Sequence, residues 1–132
     1  MWSRLIRVKW VTHIACAAMM GLALGCPPEL LWLVAVGSIL PDLIEIRYRR
    51  LGLGHRSPLV HNWAVPLAMS PLALAWGGAL WLAAGYAHHL LLDTLTVYGV
   101  YVFGARVGLW LRSDRLLDNA VVTLLHAVAL VI

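Results

Sequence analysis

Apolar residues run along this chain in five long blocks separated by short polar, glycine or proline breaks. The first block covers 9–25 and stops at Cys26-Pro27-Pro28, since proline has no N–H to continue a helix and its ring clashes with the preceding turn. The second covers 29–46, with Pro28 suited to the position before its first turn and an arginine cluster at its end. Pro41 lies inside it and is expected to loosen the turn around Asp42. A polar loop, 47–58, precedes the third block, 59–76. Gly77-Gly78 then reads as a tight turn into the fourth block, 79–97. A loop rich in glycine and aromatic residues, 98–115, leads to the fifth, 116–132. Each block has about the 17–20 residues that a helix needs to span a bilayer, so the pattern predicts an all-α bundle of five transmembrane helices in one domain.

The basic residues give this layout a direction. Arg4, Arg7 and Lys9 precede the first block, Arg47, Arg49, Arg50 and Arg56 lie between the second and third, and Arg106, Arg112 and Arg115 lie between the fourth and fifth. The other two connections carry none. By the positive-inside rule the N-terminus is expected in the cytoplasm, in the inner membrane of a prokaryote, with Tyr98, Tyr101, Phe103 and Trp110 as interfacial aromatics. Composition agrees: 62% of the 132 residues are hydrophobic and only 12% charged, with a mean hydropathy of +0.84. The net charge of +4 is dispersed between apolar blocks, which argues against a nucleic-acid surface. Cys16 and Cys26 suggest neither a disulfide framework nor a zinc ribbon and read as packing residues. The N-terminal block begins like a signal peptide, but His13 interrupts it and no small-residue cleavage site ends it, so it reads as a retained helix.

Ionisable side chains inside such blocks are the candidate chemistry. His89 and Asp93 are four apart and share one helix face at roughly 6 Å between Cβ atoms, close enough to grip one cation. Counting along each helix brings His13, Asp42, Glu45, His61, His89 and Asp93 to a similar depth near one end of the bundle, with His55 in the adjoining loop and Asp118 and Asn119 at the start of the last helix. Imidazole and carboxylate together suit zinc, manganese or iron, and facing helix positions are where bundles build such centres. Each residue also has an ordinary reading. His13 suits an interhelical hydrogen bond, Asp42 a pairing with Arg47, His55 a solvated loop position. For Glu45 a salt bridge to the arginines is favoured over ligation, His88 lies on the wrong face, and His126 is too far along its helix to join.

Four segments together resemble a known family, the membrane-bound metal-dependent hydrolases of bacterial and archaeal inner membranes, which include LexA-binding members. Thr12-His13 resembles its N-terminal Gly/Thr-His motif, and Leu40-Pro41-Asp42-Leu43 its Leu-Pro-Asp-hydrophobic-Asp segment. Gly54-His55-Arg56 followed by His61 is similar to its His-Arg-Gly-x-Thr-His-Ser loop. Gly85-Tyr86 with His89, Asp93, Thr96 and Gly99 is similar to its Gly-Tyr-x-Ser-His-x-x-x-Asp-x-x-Thr-x-x-Gly helix. The resemblance spans about 12–108 and implies metal or catalytic roles for His13, Asp42, His55, His61, His89 and Asp93. Ile44 stands where the family has its second Asp, with Glu45 one position later. The His55 to His61 spacing is one residue longer than usual, Val60 and Asn62 replace Thr and Ser, and His88 replaces a Ser.

The expectation is therefore an integral membrane metal-dependent hydrolase acting at the cytoplasmic face on an anionic phosphoester, plausibly of a membrane lipid, through a water activated by one or two divalent ions, zinc or manganese. His13, Asp42, His61, His89 and Asp93 are the expected metal ligands. His55 is the expected ligand or general acid/base, and Arg56 the clamp for an anionic group. No nucleic-acid partner is expected, and an oligomer remains open. Two other classes fit the same residues. One is a transporter or ion-handling component with a transient metal site, although inverted repeats are absent. The other is a non-catalytic scaffold that a structural metal locks.

Overall fold

The computed structural model of the protein describes residues 2–50, 52, 56–112 and 115–132, the side chains of 2–9 excepted. Its helices are α1 (Trp2–Ala23), α2 (Leu31–Arg50), α3 (Ala64–Ala75), α4 (Gly77–Thr94) and α5 (Leu116–Val131), with a two-stranded antiparallel hairpin, β1 (Val100–Val102) and β2 (Ala105–Val107), between α4 and α5. Helix α1 ends on Gly25, whose φ of 75° lets Cys26 N–H reach back to Gly21 O at 2.8 Å. A single 3-10 turn at Pro28–Leu30 then starts α2. Pro41 lies within α2 without ending it, and Arg47, Arg49 and Arg50 occupy its last turn, where cations favour the negative end of the helix dipole.

The centre of the fold is the α2–α4 contact, with α1 laid against α2, α4 and α5 and α3 against α4. Two glycines set that contact. A Cβ at Gly37 would overlap the Leu82 carbonyl, and a Cβ at Gly85 would overlap the Val34 carbonyl, so the two backbones touch where no side chain fits. One apolar cluster lies on each side of the crossing. Ala17, Cys26 and Val34 pack with Met20, Leu31 and Trp81 toward one end; Tyr86, Leu90 and Val100 pack with Leu40, Trp63 and Met69 toward the other. Cys16 and Cys26 are buried and unbridged.

The expected five-span membrane bundle is not what the chain builds: among the described residues no helix is long and apolar enough to cross a membrane. The reasons are local. At 1.5 Å per residue, the 12 residues of α3 reach about 18 Å and the 16 of α5 about 24 Å, against about 30 Å of hydrocarbon. Residues 59–63 of the third block form a turn and a bridge instead of helix. Helix α4 is 18 residues long but spends His88, His89 and Asp93 in its last two turns, and α2 carries Asp42, Glu45 and three arginines. The transmembrane character, the N-terminus-in topology and the inner-membrane location fall with the spans. Several of the arginines that marked one membrane side have local partners instead: Arg49 bonds Glu45, Arg56 bonds Asp93, and Arg106 bonds the Tyr98 carbonyl.

Two smaller expectations also change. Gly77-Gly78 forms the first turn of α4 while Trp76 makes the bend, its indole filling the space a Cβ on Gly78 would take. The 98–115 loop contains the hairpin, in which Val100 pairs with Val107 and Tyr101 with Arg106. The alternating β-branched and aromatic residues of Val100-Tyr101-Val102 were the available strand signal.

Candidate metal centre

The α2–α4 crossing leads directly to the site. One residue past Gly37 on α2 and four past Gly85 on α4, the Ser38 carbonyl and the His89 ring meet, with Nδ1 2.6 Å from the oxygen. A carbonyl only accepts, so Nδ1 carries the proton and Nε2 of a neutral His89 presents its lone pair. That lone pair faces Asp93 Oδ2 at 3.1 Å and Asp42 Oδ1 at 3.8 Å. The helical spacing of His89 and Asp93 accounts for the first of these contacts and the α2–α4 approach for the second.

His61 comes from the turn after Arg56. The Ser57 carbonyl accepts the His61 N–H, and backbone bonds from Tyr101 N to His61 O (2.7 Å) and from Trp63 N to Tyr101 O (3.0 Å) join this turn to β1. Tyr86 Oη donates to the neighbouring Val60 carbonyl at 2.7 Å. Held this way and fully buried, His61 puts Nδ1 3.1 Å from Glu45 Oε2 and aims Nε2 at Asp42 Oδ1 (3.7 Å) and Asp93 Oδ2 (3.6 Å). His13, on α1, stacks on His89 with ring centroids 4.1 Å apart and sets its Nε2 3.7 Å from Asp93 Oδ1.

The carboxylates are oriented from behind. Trp10 Nε1 donates to Asp42 Oδ2 at 3.2 Å, which leaves Oδ1 for the centre. Arg56 places both Nη atoms on Asp93, and its Nη1 also reaches the Gly99 carbonyl at 3.3 Å. Its backbone N–H donates to Glu45 Oε1 at 3.0 Å, from a residue held at φ 58°. Among the described residues three overlapping triads result: His13, Asp42 and His89; His61, His89 and Asp93; Asp42, Glu45 and His61. Within each, one ligand atom per residue lies within 4.8 Å of the others, and the contacts of 3.1–3.8 Å from the His61 and His89 Nε2 atoms to the carboxylates suit ligands around a single ion with bonds of about 2.0–2.2 Å.

Burial decides the electrostatics. It drives the His13 pKa down to about 3, helped by neighbouring His89. For His89 burial pulls the same way, but Asp93 and Asp42 outweigh it and the pKa is raised. Burial would raise Asp93, yet His89 and Arg56 hold it well below the ordinary carboxylate range; Asp42 is likewise held low, against burial, by His61 and His89. Among the described residues three carboxylates, Asp42, Glu45 and Asp93, face two guanidiniums, Arg49 and Arg56, and the difference of one negative charge suits a proton on His89 or a cation.

No family model, curated protein or solved structure matches this chain. What the residues can do therefore rests on their own geometry, and the resemblance to membrane-bound hydrolases has no independent support.

Of the residues singled out in the sequence, the fold brings together His13, Asp42, His61, His89 and Asp93. His55 lies outside the described residues. Arg56 is 4% exposed and turned to Asp93, so it pairs with a buried carboxylate instead of standing open to an anion. Glu45 joins the centre through His61 as well as pairing with Arg49; its i+3 spacing from Asp42, which puts both on one face, was the readable signal. Trp10 carried none. His88 points away from the centre, with its Nε2 3.0 Å from His126 Nε2 on α5.

Proposed function

We propose that this chain is a metal-dependent hydrolase acting on a phosphoester, with one divalent ion held by His61, His89 and Asp93 and with His13 and Asp42 completing the set. The observation that carries it is the convergence of the His61 and His89 Nε2 atoms, neither with a hydrogen-bond partner among the described residues, on the oxygens of Asp42 and Asp93. Lone pairs facing carboxylate oxygens repel unless a proton or a cation lies between them. The mixed nitrogen and oxygen donors suit zinc or manganese. Held by these residues, a divalent ion would bring the pKa of a bound water toward neutrality and would polarise a substrate oxygen.

The chain's own residues have distinct tasks. The Ser38 carbonyl fixes the His89 tautomer, and Glu45 offers an acceptor to the other nitrogen of His61. Arg56 keeps Asp93 ionised and fixed in orientation, and Trp10 does the same for one oxygen of Asp42. The phosphoester reading follows from the hydrolytic form of the centre and its surplus of one positive charge once a divalent ion is counted. A lipid substrate depended on the transmembrane placement and has no support once the spans are absent among the described residues. A scaffold locked by a metal is the rival reading.

Metal analysis of protein purified with zinc and with manganese is expected to give about one ion per chain, falling toward zero in His89→Ala and His61→Ala. Hydrolysis of 4-nitrophenyl esters of phosphate is expected to disappear with the ion and return on reloading. Metal-free protein under every loading condition, with the thermal stability of His89→Ala unaffected by added ion, would sink the reading.

A further inference from the structure

Helix α5 lies against the body of the protein through one side only. Cys16 Sγ on α1 is 3.9 Å from Thr123 Oγ1, and His126 meets His88 of α4. No residue of α5 is buried. On the side turned away from α1 stand Leu117, Val121, Leu124, Val128 and Val131, between 46% and 89% exposed.

These five follow one another at intervals of four, three, four and three residues. That is the seam of a coiled coil, with Leu117, Leu124 and Val131 at d and Val121 and Val128 at a. β-Branched residues at a with leucine at d favour a parallel, two-stranded pair. The positions that flank the seam agree. In a parallel pair each g residue lies beside an e residue of the partner; here g is Ala120 and Ala127, and e includes Leu125. Small therefore meets large, whereas an antiparallel pair sets small against small and large against large.

The space for the large residue is present. An open groove of about 650 Å³ runs between α1 and α5, lined by Val11, Ala120, Leu124 and Ala127. Thr123 and Asn119 also line it, but their side chains donate to the Asn119 and Arg115 carbonyls, so the groove is apolar. Surface area points the same way. The chain exposes 7955 Å², against about 6,900 Å² for a folded monomer of 14.5 kDa. The excess, on the order of 1,000 Å², is the size of one partner's share of a standard interface, about 800 Å².

We propose that this protein forms a two-fold dimer through a parallel, in-register pair of α5 helices, with the partner's Leu125 set over Ala120 in the α1–α5 groove. The occupant is a second copy because the face is complementary to itself: a two-fold axis along the pair places each a and d residue beside its own copy and each alanine beside a leucine. The pairing does not require the metal centre.

Sedimentation equilibrium of the full chain in detergent-free buffer, with and without zinc, is expected to show a concentration-dependent mass rising to twice 14.5 kDa. Leu124→Lys sets a cation in the middle of the seam and is expected to raise the dimer Kd about a hundredfold or more. Leu74→Lys, the same change at an exposed position on α3, is expected to leave it within about twofold. Both variants are expected to keep the parent's far-UV circular dichroism, since neither side chain is buried. Under mild oxidation Leu117→Cys is expected to close a disulfide between two chains, and Leu116→Cys, off the seam, is expected not to. A parent chain that stays monomeric at every concentration overturns the dimer, including one that sediments with phosphatidylcholine vesicles instead. So does a dimer that Leu124→Lys leaves unchanged. Closure only in a mixture of Leu117→Cys with Val131→Cys, which an antiparallel pair would align, overturns the parallel register.

Discussion

Replacing Asp93 by Asn isolates the charge that the centre depends on. Asp93 is 1% exposed and Arg56 4% exposed, and both Nη atoms of Arg56 reach the carboxylate. Neutralising one member of such a pair leaves the other charge buried and uncompensated, which costs about 3–5 kcal/mol. The retained amide oxygen still accepts one bond, so the low end of that range is expected. For a chain of this length that corresponds to a fall in Tm on the order of 10–20 °C. Arg56→Met alone leaves Asp93 among three histidines, where a proton on His89 offsets part of the loss, so a smaller penalty is expected. The double variant removes both charges and is expected to be more stable than the sum of the single changes allows, by about 2–3 kcal/mol. Urea unfolding at pH 7 in the presence of a chelator measures all four corners of this cycle. Added zinc or manganese then separates the roles: Arg56→Met keeps the ligand and is expected to gain at least as much stability from the ion as the parent chain, whereas Asp93→Asn gains little. A cost below about 1 kcal/mol for Asp93→Asn, or additive single changes, would refute the claim that this pair is both buried and coupled.

Three further outcomes follow from the geometry. In metal-free protein the folded-state pKa values of His13 and His88 lie at about 3 and about 4, below the ordinary 6.5, so the unfolded chain binds more protons between these limits. Stability should therefore fall as pH drops from 6.5 to 4, by on the order of 3 kcal/mol for each group, and a flat Tm profile across that window in chelator contradicts it. His89, whose pKa is raised, works in the opposite direction: its contribution is complete below 6.5 and is lost as pH rises through the folded value, outside the window of the acid loss. Gly85→Ala pushes a methyl group into the Val34 carbonyl and should cost about 1–3 kcal/mol or more while loosening metal retention, since Ser38 and His89 ride on the same contact; retention equal to the parent's argues that the crossing does not set the site. Tyr86→Phe removes the donor to the Val60 carbonyl and should cost about 1–3 kcal/mol, read by urea unfolding, and unchanged stability would mean that the carbonyl finds another partner.

The sequence by itself determined the helical class, the grouping of the candidate ligands and the shared face of His89 and Asp93. These depend on helix period and on short connections, which bring the ends of neighbouring helices together whatever surrounds them. That is why a depth count made for a bilayer grouped His13, Asp42, His61, His89 and Asp93, although the spans it assumed do not form. Only the tertiary structure decided how far each helix runs. Hydropathy counts apolar residues but not whether the backbone from Leu59 to Trp63 is helical, and there the pairing with β1 wins. The tertiary structure also decided partners. Arg56 and Glu45 had several reachable opposites along the chain, and long flexible side chains choose among them by the distances that packing sets. The apposition of Gly37 and Gly85 settles those distances, because a glycine's place in the sequence does not say which backbone will lie against it.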